Sequence, residues 1–290
     1  MVFLALVTTS SRQNQQAHHF DLSQAPSSHI DAVAWLDAPM WQSVMGREKN
    51  SLEEMGAFEE SDLPAGEHTI GFKWVFVHKS DSEGANIQGK EKAWLVAQGF
   101  NQHPGQYDET YVPVAKMTSI WILLTWVAVC DLEIFQFDCK TAFLHTKLQH
   151  PIYTCQIPGY PLPDPKKVLC ILVALYGLHQ SAFEFHTLFS SLLFSLGMTR
   201  CEVDQVVFIG EWASAPDPSV SLPINGHSLV LYVPLHVDNG LVITNSPSLY
   251  AWFLRTLAKH LLIVDLGHCS GFLVVVIVET MLIASFGCRL

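Results

Sequence analysis

Two apolar runs that close on a carboxylate constrain this chain more than any other feature. Leu229 to Leu235 leads into His236-Val237-Asp238-Asn239-Gly240, and Leu241-Val242-Ile243 leads out. Apolar runs on either side of an Asn-Gly pair read as a β-hairpin with its polar tip at Asp238-Asn239-Gly240. A carboxylate there is well placed to hold a metal ion above a sheet. Asp, Asn and Gly are also ordinary turn residues, so a plain surface turn is the competing reading. A second stretch bears on the choice. In Phe135-Gln136-Phe137-Asp138-Cys139-Lys140-Thr141-Ala142-Phe143-Leu144 an isolated Asp ends a strand-like run. Two strand-end carboxylates, distant in sequence but adjacent in a sheet, make a Mg²⁺ site, since that ion takes one or two carboxylates plus substrate phosphates. Two such ions clamp both oxygens of an in-line phosphoryl transfer.

The 290 residues suit one large domain or two modest ones, and 49% hydrophobic against 15% charged favours a packed core over disorder. The formal charge of −11, from 16 Lys+Arg and 27 Asp+Glu, excludes a surface that grips nucleic acid all over. A local basic groove remains open to it. Seven cysteines without a C-x-x-C pair signal neither a zinc site nor a disulfide framework, and reduced thiols inside a cell are the default. The apolar start Met1 to Val7 lacks a basic flank and is short for a signal peptide. Gly271 to Ile283 contains Glu279 and falls short of a membrane span, so it reads as a core strand.

Residues 1–30 are expected to be disordered or loosely packed. Trp35 to Met55 carries apolar residues at helical spacing (Trp41, Val44, Met45, Leu52, Met55) and reads as an amphipathic helix. Ile70 to Lys79, a turn at Asp81 to Gly84, and Trp94 to Phe100 form a hairpin with Lys73, Lys79, Lys90 and Lys92 on or near it. Ile120 to Cys130 is apolar all round and reads as a buried helix. Five prolines between Pro151 and Pro165 require loop or edge structure. Val168 to Leu178 is strand-like. Phe183 to Gly197 is helical with a glycine at its end. Ser248 to His260 is a further helix, and Val264 to Gly267 a turn into Phe272 to Val278. The mixture implies an α+β fold.

Six ordered motifs carry a resemblance. Lys73-Trp74-Val75-Phe76, Lys92-Ala93-Trp94-Leu95-Val96-Ala97-Gln98-Gly99-Phe100-Asn101-Gln102, and Thr110-Tyr111-Val112-Pro113-Val114 come first. The Asp138 stretch, Leu175-Tyr176-Gly177-Leu178-His179-Gln180-Ser181, and the Asp238 stretch follow. In this order they resemble the reverse transcriptase of copia-type retrotransposons, as a fragment of a fungal-like Gag-Pol polyprotein. The likeness runs from about Trp35 to about Glu279. It implies a reverse-transcriptase palm, an antiparallel sheet with packed helices, plus a fingers extension. Residues 31–280 would form that domain, with fingers at about 60–115, palm at about 116–280, and an atypical tail at 281–290.

The resemblance also implies roles. Asp138, Asp238 and position 239 would be catalytic, with Asp138 and Asp238 as ligands of the family's two Mg²⁺ ions. Lys79, Lys92, Trp94 and Phe143 would meet the nucleotide, Phe143 excluding a 2′-hydroxyl. Gly177, Gln180 and Ser181 would lie along template and primer. RNA template, DNA primer and deoxynucleotides would be the partners, with no membrane, in the cytoplasm or a virus-like particle. Five residues depart from the family pattern. Asn239 replaces the second adjacent Asp, and Trp94 and Trp121 replace arginines. His179 replaces Lys or Arg, and Val274 replaces a glycine. The Asn removes a charge from the second ion's site, so weak or absent activity is expected. A non-catalytic nucleic-acid-binding remnant, or a relic protein without selected function, is the alternative.

Arg to Trp, Arg to His and Asp to Asn each arise by one C→T or G→A transition, the mark of cytosine deamination in a silenced transposon. Every Trp, His and Asn codon is one transition from an Arg or Asp codon, so synonymous positions carry the test. Sequencing the gene beside intact relatives is expected to show C→T and G→A changes in excess there. An unbiased spectrum would remove the support.

Overall fold

The computed structural model describes residues 2–9, 19–21, 25–80, 86–113, 115–223, 228–269, 271–272 and 275–282, with side chains within 25–78, 91–113, 115–223 and 228–269. The chain opens with β1 (Val2–Thr9), β2 (His19–Asp21), α1 (His29–Ala34) and α2 (Ala38–Glu54). Next come β3 (Phe58–Ser61), β4 (Thr69–Ile70), β5 (Phe72–Ser80) and β6 (Asn86–Ala97). Then α3 (Met117–Cys130), β7 (Glu133–Cys139), β8 (Lys147–Thr154), β9 (Val168–Val173) and α4 (Ser181–Ser195) follow. The last elements are β10 (Thr199–Arg200), β11 (Val207–Trp212), β12 (Leu229–His236), β13 (Asn239–Thr244), α5 (Pro247–Leu257), β14 (Ile263–His268), β15 (Gly271–Phe272) and β16 (Val275–Leu282). Helices and largely antiparallel sheets confirm the mixed α/β class. The chain divides into two compact units, one of residues 1–13, 113–142 and 189–290, the other of 14–112 and 143–188.

The first unit is built on a six-stranded sheet ordered β10-β11-β12-β13-β7-β14. Successive side chains of a strand alternate between faces. Phe135 and Phe137 therefore share one face, where Phe137 stacks on Phe189 and meets Phe253 edge-on, and Phe135 stacks on Tyr250. On the opposite face Ile134, Leu241 and Ile243 pack with Ile120, Leu124 and Val127 of α3. The α3 N-terminus is held by buried Asp204, whose carboxylate accepts from the Lys116 N–H at 3.0 Å. The expectation of a wholly buried helix is corrected here. α3 buries one stripe, and Ile122, Trp126 and Val129 on its other side are 64%, 47% and 72% exposed. Val264 to Gly267, read as a turn, belongs to edge strand β14, which pairs with β7 through an irregularity between Asp265 and Gly267. Glycine suits such a bulge. The N-terminal stretch expected to be loose carries β1, which pairs with β16. Residues 10–18, 22–24 and 283–290 lie outside the described residues.

In the second unit α2 lays Trp41, Val44, Met45 and Leu52 into a core with Trp74, Phe76, Ala93 and Leu95. This matches the helical spacing read from the sequence. Along the hairpin of β5 and β6, Trp74 and Phe76 face the core, while Lys73, Val75, Lys92 and Trp94 share the other face, where Val77 is also buried. A four-stranded sheet, β3-β9-β8-β4, completes the unit. Pro151 lies within β8 where its register against β9 shifts, between Lys147 and Ile152, as a residue without an N–H requires.

Two of the sequence motifs lock together in this unit. The Gln102 side chain donates to Gln180 Oε1 at 3.1 Å and accepts from the His179 N–H at 2.9 Å. The Gln180 amide donates to the Gln106 carbonyl, and the Ser181 hydroxyl to the Leu175 carbonyl. Ala97 donates its N–H to the Tyr176 carbonyl at 2.8 Å. Gly177 closes this lock at φ +93°, and a Cβ there would lie 2.1 Å from the Ala97 carbonyl oxygen. Backbone cannot give way as a side-chain tip can. Gly177→Ala is therefore expected to destabilise the fold by roughly 1–3 kcal/mol or more. Denaturant melts measure this, and an unchanged midpoint would refute it.

Candidate active site

The acid hairpin is built one residue differently from the sequence reading. β12 and β13 pair His236 with Asn239, so the two-residue turn is Val237-Asp238, and Asn239-Gly240 begin the returning strand. The glycine is needed for another reason. A Cβ on Gly240 would lie 2.4 Å from the Phe137 ring, so it admits the aromatic side chain rather than making the turn. The turn places Val237 at φ +58°, a conformation costly for a β-branched residue, by about 1–3 kcal/mol. The tip is tied down by the Cys139 N–H, which donates to the Asp238 carbonyl at 2.8 Å.

That bond and the register of β13 against β7 bring the acids together. Asp138 stands directly opposite Asn239, with Asp238 next along the chain. Gln136 lies two residues before Asp138 on the same face, and its amide donates to Asn239 Oδ1 at 3.1 Å. Burial holds the Asp238 carboxyl above the usual carboxylate range, and the negative charge of Asp138 pushes it further; a backbone hydrogen bond and His236 pull the other way. Burial, with the charges of Asp138 and Asp238, pushes the Cys139 thiol up to about 12. The two acids thus crowd like charge into a half-buried tip, the environment that a cation relieves. Among the described residues, no three His, Cys, Asp or Glu side chains gather at metal-ligating spacing.

The remaining sequence-derived residues lie in the second unit. Lys92 and Trp94 are neighbours on the solvent side of β6, with the ammonium 5.8 Å from the indole ring centre. Phe143 is buried, edge-on to Tyr176 at 4.8 Å and against Phe185. Gln180 and Ser181 are 4% and 2% exposed, and the hydrogen bonds of their side chains run within the lock described above. His179 lies beside Tyr107. Of the departures in the first unit, Trp121 is partly buried against the apolar cluster under α3. The Lys79 side chain and Val274 fall outside the described residues. Sequence reasoning assigned no role to Gln136, Gln102 or Asp204. A signal existed for the first, because a polar residue two positions from a strand-end acid shares its face.

Among the described residues, no helix is long and apolar enough to cross a membrane. Residues 56–285 match the family described as reverse transcriptase (RNA-dependent DNA polymerase). The chain is 31% identical over 250 residues to the retrovirus-related Pol polyprotein from transposon TNT 1-94 of Nicotiana tabacum, covering 86% of this chain and 18% of that protein. It is 31% identical over 252 residues to the Pol polyprotein from transposon RE1 of Arabidopsis thaliana, covering 86% and 16%. A putative transposon Ty5-1 protein of Saccharomyces cerevisiae is 27% identical over 137 residues, covering 47% and 40%. The chain thus spans less than a fifth of the length of the two plant polyproteins. With a family match over most of its length, this chain belongs to the reverse transcriptases of copia-type retrotransposon Pol polyproteins.

Proposed function

We propose that the chain is an RNA-directed DNA polymerase domain whose chemistry is impaired at Asn239. The observation that carries this is the opposition of Asp138 and Asn239 across two strands, with Asp238 at the adjoining turn. In this reading the six-stranded unit is the palm and the β5–β6 hairpin belongs to the fingers. The donor set fits one divalent ion: two carboxylates with raised mutual repulsion, completed by substrate phosphates. When bound, Mg²⁺ would supply charge stabilisation to the attacking and departing oxygens. Asp138 and Asp238 would hold it, and the rigid pairing of their strands would keep them in place without reorganisation. Asn239 offers no negative charge to a second ion.

Lys92 and Lys79 would meet the triphosphate, and Trp94 would present an indole beside Lys92 where the family has a guanidinium. Phe143, packed against Tyr176 and Phe185, would exclude a 2′-hydroxyl. Gly177 would let backbone approach the nascent pair, while Gln180 and Ser181 would act through the lock that shapes that backbone. RNA template, DNA primer and deoxynucleotides are the partners in this reading, and an intracellular particle or the cytoplasm its setting. The Asn at position 239 also favours a second reading, a nucleic-acid-binding remnant that keeps the fold and lacks the chemistry.

Primer extension on a poly-rA template separates these. The natural chain is expected to synthesise a hundredfold or more below an intact enzyme, roughly the loss that follows removal of one transition-state charge contact. Mn²⁺ is expected to raise its rate over Mg²⁺. Asn239→Asp should recover part, and Asn239→Asp with Trp94→Arg, His179→Arg and Val274→Gly more. Robust Mg²⁺-dependent synthesis by the natural chain would overturn the impairment. No synthesis by any variant, with retention of an RNA–DNA hybrid in a gel shift, would favour the remnant.

Trp94→Arg tests the fingers assignment separately. A charge-assisted bond to phosphate contributes about 1.5–3 kcal/mol. In an Asn239→Asp background the nucleotide KM is expected to fall at least tenfold when Arg replaces Trp94. An unchanged KM would remove Trp94 from the nucleotide site.

A further inference from the structure

We infer that Gln136 is a positioning residue that decides which atom of the side chain at position 239 is available to a metal ion, a reading that rests on the metal site proposed above. Gln136 occupies the boundary of its sheet face. On one side lie Ile134, Leu241 and Ile243 under α3, and on the other lie Asp138 and Asn239. Its amide is held at both ends. The Cys269 thiol, 4% exposed, donates to Gln136 Oε1 at 3.6 Å, and Gln136 Nε2 donates to Asn239 Oδ1 at 3.1 Å.

The chemistry of the two amides does the rest. An Asn side chain has one acceptor oxygen and one NH₂, which only donates. The bond holds that oxygen, the one atom of Asn239 that could ligate a cation, toward Gln136 and occupies one of its two lone pairs. The NH₂ at the other end of the amide only donates and cannot bind metal. A carboxylate at this position behaves in the opposite way. It has two equivalent oxygens, so a bond from Gln136 to one fixes the rotamer and presents the other. The same glutamine therefore orients a carboxylate ligand and turns the oxygen of an amide toward itself. Asn239 is a poor ligand through lost charge and also because its oxygen is held toward Gln136.

The test is Mn²⁺ binding to the whole chain, by calorimetry and water-proton relaxation, without substrate or turnover. Four proteins form a cycle: the natural chain, Gln136→Met, Asn239→Asp and the double variant. Met nearly matches Gln in shape and cannot donate. Asn239→Asp alone is expected to tighten Mn²⁺ binding. In that background Gln136→Met should weaken it about tenfold, the loss typical of a ligand's hydrogen-bonded support. In the natural background Gln136→Met should leave binding unchanged or tighten it, because the Asn239 oxygen is released. A purely structural role predicts equal weakening in both backgrounds, and that result would overturn the inference while leaving the metal site standing. Failure of Asn239→Asp to tighten binding would overturn the metal site itself, and the inference with it. If Gln136→Met does not fold, Cys269→Ala replaces it in the cycle. It removes the partner that fixes the polarity of the Gln136 amide, and the same contrast between backgrounds is expected.

Discussion

The register of β7 against β13 is the constraint on which the candidate site depends. Side chains alternate with a period of two, so a slip of one residue would turn Asp138 to the face occupied by Phe189 and Phe253. Two contacts forbid the slip. The Phe137 ring fills the space that Gly240 leaves by lacking a Cβ, and the Cys139 N–H holds the Asp238 carbonyl beyond the last strand pair. Both lie within two residues of an acid. Apolar packing on one face of the sheet thus sets the position of charge on the other. It does so against the mutual repulsion of two carboxylates, which burial makes worse.

The acid pair was legible because a carboxylate that closes an apolar run is costly there unless something offsets its charge, and because the surrounding motifs occur in family order. What was not legible depended on partners distant in sequence. Asn239-Gly240 reads as a turn from local preference alone. The need for a glycine beneath Phe137 belongs to residues far apart in the chain, and it moved the turn to Val237-Asp238. Val264 to Gly267 has turn composition and became an edge strand because β7 offered a free side. α3 is apolar all round, yet a helix lying on a sheet buries only the stripe that faces it.

The lock between Gln102 and Gln180 shows a different limit. Its residues stand out in sequence, and the family pattern points to template contact. In the structure their side chains satisfy one another and nearby backbone groups inside one unit. Buried amides with every end engaged fix loops into a single geometry, since leaving one end unpaired is costly. A motif can therefore be prominent because it fixes its own backbone, with its side chains engaged among themselves. Asn239 is the converse case. It keeps the shape of a carboxylate and the strand pairing, so nothing in the fold opposes it, and in the function proposed above its effect falls on chemistry.

The distribution of thiols offers a practical handle. Cys139, at the end of β7 beside the acid hairpin, is buried and stays protonated far above neutral pH, so it reacts poorly with electrophilic labels. Cys130, at the end of α3 in the first unit, and Cys155, just after β8 in the second, are exposed. With Cys201 and Cys288 changed to serine, a donor and an acceptor dye could be coupled at those two sites without touching the carboxylates. Energy transfer between the dyes would then report whether the nucleic acid proposed above as partner changes the separation of these two cysteines, in a protein that needs no catalytic turnover to be observed.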